Sequence, residues 1–268
     1  MRILHVLAIS LFSLALAPYI ASAQTNFITL HQFAGGVDGA FPEGAPVRDA
    51  AGNLYGTTAL ADGGATGAVY KIDTTGVETV LFRFDVATGT GPASPLILDA
   101  DNNLYGIANA GPKGGGVIYK LSPAGEQTLL HSFGGGVNLQ PKTPSGGILM
   151  DKLGNILGTS EFGGSSNCQP GCGTIFRLTP TGTFSLIHKF TGTDGSQPFG
   201  PLVQDTAGNL YGVARAGGNS SCTDAGRGPG LRYGLQVVQD TRPYCIAHLS
   251  RRAGWGDSTS RPPLGRRW

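Results

Sequence analysis

Three histidines occupy matching places in this chain, in Leu30-His31-Gln32-Phe33, Leu130-His131-Ser132-Phe133 and Ile187-His188-Lys189-Phe190. Neutral imidazole binds metals readily and serves as a general base near neutral pH. Histidines converging on one channel would therefore make a metal centre. The fourth matching segment, however, is Phe82-Arg83-Phe84, and a phenylalanine ligates nothing, so packing is the reading that covers all four places. A second polar series pairs Asp49 with Asn53, Asp99 with Asn103, Asp151 with Asn155 and Asp205 with Asn209. Carboxylate and amide oxygens suit calcium, but one carboxylate per place falls short of the roughly six to eight oxygens calcium takes. An Asp that accepts from backbone amides a few residues on, beside a Gly or Asn that tolerates positive φ, makes a hairpin turn instead. The chain contains no Gly-x-Ser-x-Gly and no His-Glu-x-x-His, the motifs of a serine nucleophile and a zinc protease. No catalytic residue, cofactor or metal ligand is assigned from the sequence.

The elements that carry these residues repeat. Asp49 to Gly56, Asp99 to Gly106, Asp151 to Gly158 and Asp205 to Gly212 spell one pattern, with the shared Asn at 53, 103, 155 and 209. A period near 50 residues marks a repeat architecture. Each repeat reads as four short segments of alternating β-branched or aromatic and polar residues, separated by Gly, Asn, Asp and Pro clusters. In the first they are Phe27 to Phe33, Ala45 to Arg48, Leu54 to Thr58 and Ala68 to Ile72. That is the signature of half-buried strands joined by tight turns. Four strands per repeat of this length predict an all-β fold, a propeller-like array of about three and a half four-stranded blades that does not close a ring. The expected repeats run about 26–78, 79–127, 128–184 and 185–224. Their core is expected to hold Phe33, Tyr55, Phe84, Tyr105, Phe133, Leu157, Phe190 and Tyr211. Leu157 in a place otherwise held by Tyr indicates that bulk there matters more than the hydroxyl.

Composition narrows the setting. Among 268 residues 44 are Gly, without collagen's every-third order, and the net charge is only +2. Near-neutrality argues against nucleic acid as a partner, because phosphate binding needs clustered Lys and Arg. Residues 1–23 read as a signal peptide: Arg2, an apolar run from Ile3 to Ala17, and Ala21-Ser22-Ala23 as a small-x-small cleavage site. The mature chain from Gln24, with the repeat domain at 24–224, then carries no integral membrane span, and the protein is expected to be secreted, periplasmic or on the cell surface. Cys168 and Cys172 flank Gln169-Pro170-Gly171, a turn that can bring their thiols together, and a local disulfide suits an exported protein.

The ordered recurrence of Gly-Asn-Leu-Tyr-Gly, then Val-Tyr-Lys-Leu or its variants, then Leu-His-x-Phe resembles the GloVer tandem-repeat proteins of bacteria, over Asn26 to about Cys222. The resemblance implies export and display by one of several C-terminal anchors; it implies no activity and no catalytic residue.

The pattern stops after Gly212. Arg227 to Trp268 holds eight Arg and two Asp with no Lys or Glu, a basic tail unlike the repeats. Tyr233 to Gln239 can be encoded by TAC GGT CTA CAA GTT GTC CAA, and reading one base later gives Thr-Val-Tyr-Lys-Leu-Ser, the strand the fourth repeat lacks. Residues 225–268 are therefore expected to be frameshifted and unstructured. The functional expectation is an exported repeat protein acting as a non-enzymatic binding or structural module, its partner a surface protein or glycan. The alternatives are a propeller-type hydrolase or lyase using a central channel, or a truncated fragment without function. Open edge strands also invite self-association. Terminal sequencing of protein recovered outside the cytoplasm checks the leader: the mature chain should begin at Gln24, and an intact Met1 on cytoplasmic product contradicts it.

Overall fold

The computed structural model describes residues 28–61, 66–92, 94–134 and 141–217, and the backbone of 234–237. The expected leader and most of the basic tail lie outside these residues. Contacts divide the chain into residues 1–30 and 31–268, and the sheets all belong to the second unit. It contains strands and turns, and no helix among the described residues.

Among the described residues, fifteen strands form four antiparallel meanders. The first is β1 (Ala40–Arg48), β2 (Leu54–Leu60), β3 (Ala68–Ile72) and β4 (Glu78–Arg83); the second is β5 (Ile97–Leu98), β6 (Leu104–Ala108), β7 (Gly114–Leu121) and β8 (Gln127–Gly134). The third is β9 (Lys142–Met150), β10 (Ile156–Phe162), β11 (Thr174–Leu178) and β12 (Phe184–Lys189). The fourth has three strands, β13 (Ser196–Gln204), β14 (Leu210–Ala216) and β15 (Gly234–Val237). Successive strands are hydrogen-bonded neighbours throughout, which is the build of propeller blades. The four sheets do not close a ring.

Each sheet begins one strand later than the sequence repeat. The His-x-Phe segment ends a meander, in β4, β8 and β12 with the residue that follows, rather than opening one. Self-similarity fixes a period but not its phase, because every cyclic permutation of four strands reads alike. Residues 28–33, the first such segment, are not a strand. The tail departs from expectation at one place, where Gly234–Val237 pairs with β14.

The core lies between sheets, and one arrangement generates it. In the second strand of the first three sheets a glycine stands opposite the aromatic of the third: Gly56 and Tyr70, Gly106 and Tyr119, Gly158 and Phe176. A Cβ on these glycines would lie 2.3, 2.5 and 2.5 Å from the facing ring or its hydroxyl. The ring thus lies across bare backbone, a close approach only glycine allows. Onto it packs the Phe of the preceding segment, with centroids 4.8 Å apart for Phe33 and Tyr70, 5.0 Å for Phe84 and Tyr119, and 5.2 Å for Phe133 and Phe176. Edge-on and tilted pairs at this spacing are favourable ring geometries.

A second contact repeats beside the first. Alanine in place of Gly67, Gly116 or Gly173 would press its Cβ within 2.4 Å, 2.4 Å and 2.3 Å of Pro92, Pro144 and Pro198 in the next sheet's leading segment. The residue before each of these prolines has positive φ: Gly91 at 63°, Thr143 at 51° and Gln197 at 54°, and Phe41 before Pro42 has 55°. Left-handed backbone at a non-glycine residue is strained and persists where packing over-determines it; at Thr143 and Gln197 the preceding sheet's glycine receives the ring of the proline that follows.

Phe133 touches Phe176, Phe184 and His131 and is 2% exposed. Phe133→Ala should lower stability by about 3–5 kcal/mol in urea unfolding. Leu153→Ala, at an 80% exposed side chain, should stay within about 0.5 kcal/mol of the parent.

Candidate functional site

The Asp-Asn series forms four turns of one design, each joining a sheet's first strand to its second. Oδ1 of Asp49 accepts the Asn53 backbone N–H at 2.8 Å, and Oδ2 accepts the Asn53 amide at 2.7 Å and the Tyr55 hydroxyl at 3.0 Å. Asp99 takes Asn103 N–H and amide at 2.8 Å each and Tyr105 at 3.0 Å. Asp205 takes Asn209 at 2.8 and 2.7 Å and Tyr211 at 2.9 Å. Asp151 holds Asn155 at 2.9 and 2.8 Å, and Leu157 in the tyrosine's place donates nothing. The expectation that bulk outweighs the hydroxyl misses a bond present in three of the four turns. The phenol reaches back across the turn because its strand position faces the carboxylate, a geometry that alternation in sequence does not display.

These bonds favour the charged carboxylate. Asn53 and Asn209 chiefly hold Asp49 and Asp205 below the usual carboxylate range. In Asp99 and Asp151 partial burial works upward, but the Asn103 and Asn155 bonds outweigh it and the net shift is again down. Tyr105 moves the other way, to about 12, through burial and then its bond to Asp99.

The expected core rings differ in depth. Phe84, Phe133, Phe190, Tyr55 and Leu157 are buried, whereas Phe33, Tyr105 and Tyr211 are half-buried. Cys168 and Cys172 are joined in a disulfide within the loop between β10 and β11.

The histidines are not brought together. Each stands edge-on to its own Phe, at 4.7 Å in all three segments, and Phe82 meets Phe84 the same way at 5.0 Å. Each also meets something different. His131 stacks on Phe184 of the next sheet at 3.9 Å, and burial, with Lys113 nearby, pushes its pKa down. His188 bonds Asp194 at 2.9 Å, and Thr191 donates its N–H and hydroxyl to the same carboxylate.

His31 has the most polar surroundings. Its Nε2 lies 3.6 Å from Oδ2 of Asp38, which also accepts the Ala34 N–H at 2.8 Å. Glu78, at the head of β4, has its carboxyl raised by burial, with His31 and Arg83 opposing and Asp38 reinforcing the rise. Tyr70 is pushed up by burial and by Glu78. Two buried polar atoms in this group, His31 Nε2 and Glu78 Oε1, have no hydrogen-bond partner among the described residues. Segment 31–38 is held over the first sheet by Phe33 on Tyr70 and by Arg83 donating to the Val37 carbonyl. Sequence reasoning missed Glu78 and Asp38. The signal for Glu78 was its departure from the repeat: the same strand position holds Gln127 and Phe184 in the next two sheets.

A family model described as the Gloeobacter/Verrucomicrobia repeat matches residues 17–170 and 116–226. No curated protein matches the chain. Among solved structures, a gluconolactonase from Xanthomonas campestris is 16% identical, with 77% of this chain and 61% of that chain covered and a TM-score of 0.46. A PQQ-bound aldose sugar dehydrogenase from Streptomyces coelicolor is 17% identical over 66% of this chain and 57% of that chain, with a TM-score of 0.45. A luciferin-regenerating enzyme is 18% identical over 71% and 60%, with a TM-score of 0.41. The chain thus spans about three-fifths of their length. The expectation of a non-enzymatic binding or structural module is corrected here: these three similar solved structures are described as enzymes.

The turns generate a test of their own. A carboxylate with a depressed folded pKa contributes stability that is present above its unfolded value, near 3.9, and is lost as pH falls through the folded one. Urea midpoints should hold from pH 7 to about 5 and then fall steadily toward pH 2. Asp99→Ala should remove about 2 kcal/mol at pH 7 and flatten part of that acid limb.

Proposed function

The chain belongs to the Gloeobacter/Verrucomicrobia repeat family, and from that premise we propose that it is an exported propeller-type hydrolase or lyase with its acid–base groups at His31, Asp38 and Glu78. One observation carries the reading: a histidine and a carboxyl of raised pKa sit together with buried polar atoms that nothing in the described structure satisfies. Unsatisfied buried polar atoms call for a reason, and perturbed titratable groups concentrate where chemistry is done. Glu78, protonated more readily than an ordinary carboxyl, would give a proton to a leaving oxygen. His31, oriented by Asp38, would take one from water or from a carbon acid. The place lies between segment 31–38 and the first sheet, not in a central channel, which these sheets do not close. Export is supported by the leader-like residues 1–23 and by the Cys168–Cys172 disulfide, a bond that persists in oxidising compartments.

The test is turnover of a panel of lactones, aryl esters and uronate glycosides by the purified chain. Glu78→Gln and His31→Asn should each lower kcat by about 100-fold or more, with the acidic and basic limbs of the pH profile lost separately. Absence of turnover across the panel, or full activity in both variants, overturns the proposal.

A further inference from the structure

Three sheets place a ring across the bare glycine of their second strand; the fourth sheet keeps the glycine and lacks the ring residue. Gly212 of β14 stands opposite Gln236 of β15, in the register that sets Gly56 against Tyr70, Gly106 against Tyr119 and Gly158 against Phe176. The rest of the ring's surroundings is in place. In the second sheet a Cβ on Gly106 would meet Tyr119 and Leu96, and Tyr119 packs on Phe84. The fourth sheet supplies Leu202 at 2.8 Å from the same point on Gly212, and Phe190 ends the preceding segment as Phe84 does. A pocket opens here, lined by Phe190, Leu202, Gly212, Ile175, Pro198 and Val213 among others.

We infer that this pocket is the seat of an aromatic side chain carried on an extended Val-aromatic-Lys-Leu strand, antiparallel to β14, with its ring over Gly212 and against Phe190. The occupant is the Thr-Val-Tyr-Lys-Leu-Ser strand that the codons of Tyr233 to Gln239 can yield one base on. One observation carries it, the strand pairing, and one permitted choice of codons agrees with it. The shifted reading places its tyrosine across the codons of Leu235 and Gln236, and the strand pairing places residue 236 opposite the glycine that needs a ring. Nothing in the codon argument depends on the pairing. The surface is specific in kind: planar and apolar at its centre, beside the β14 edge along which the backbone of β15 already pairs.

The experiment uses the full chain with Gln236→Tyr, with Gln236→Phe as a second variant because Phe176 fills this place in the third sheet. Nuclear Overhauser contacts from the introduced ring to Phe190 and Leu202 are expected, with Tm raised by about 2–4 °C, as one well-packed ring pair implies for a domain of this size. Adding Gly212→Ala, read against Gly212→Ala alone because its methyl group also presses on the end of Leu202, should abolish both gains, since that methyl group would occupy the ring's place. Contacts to Phe190 decide the matter. Their absence in both ring variants, or a ring variant indifferent to Gly212→Ala, overturns the inference, and neither result bears on the acid–base proposal at His31 and Glu78.

Discussion

A glycine kept bare so that a ring can lie across it is the constraint on which the array depends. Without it the third-strand aromatic has no surface to lie on, the Phe of the preceding segment has no partner, and adjacent sheets separate. The same need explains why these glycines fall in strand interiors, where glycine is ordinarily unfavourable. Phe33, Phe84 and Phe133 each bridge to the following sheet's ring, so each of the first three sheets is held by chain that precedes it. The Asp–Asn turns act one level lower. They fix the pairing of first and second strands, and so decide where along the sheet the glycine stands.

Repetition also isolates what is not structural. A position that recurs unchanged, such as Asn53, Asn103, Asn155 and Asn209, is accounted for by its turn. A position that varies among Glu78, Gln127 and Phe184 is free of that duty and open to chemistry. The histidines sit between these cases. Their edge-on contact with Phe is common to all, and Phe82 substitutes for it, while the groups facing them differ in each interface. His131 stacks on an apolar ring, where burial lowers its pKa, whereas His31 faces the Asp38 carboxylate.

Much of this was legible in the sequence. Period, strand number, the turn series and the loop disulfide all follow from spacing and residue type, because turn chemistry is local. Three things were not. The phase of the sheets depends on which strand pairs with which, and a cyclic pattern is silent about that. The tyrosine hydroxyl's bond to Asp49, Asp99 or Asp205 spans six residues across a turn whose shape had to be known first. The grouping of His31 with Glu78 joins residues almost a full repeat apart, and neither belongs to a recognised catalytic spacing.

The joint between sheets has a genetic consequence. Each of the first three sheets offers a ring-and-glycine face to the chain before it and passes a Phe segment onward, so a whole repeat among them can be duplicated or deleted and every remaining joint between them stays intact. Copy number can thereby change by whole repeats without a new kind of joint having to form. A single inserted or lost residue within a strand is the opposite case, since it turns inward side chains outward along its whole length. Such a lineage should drift in steps of about fifty residues, with smaller changes confined to loops like the one the disulfide closes between β10 and β11.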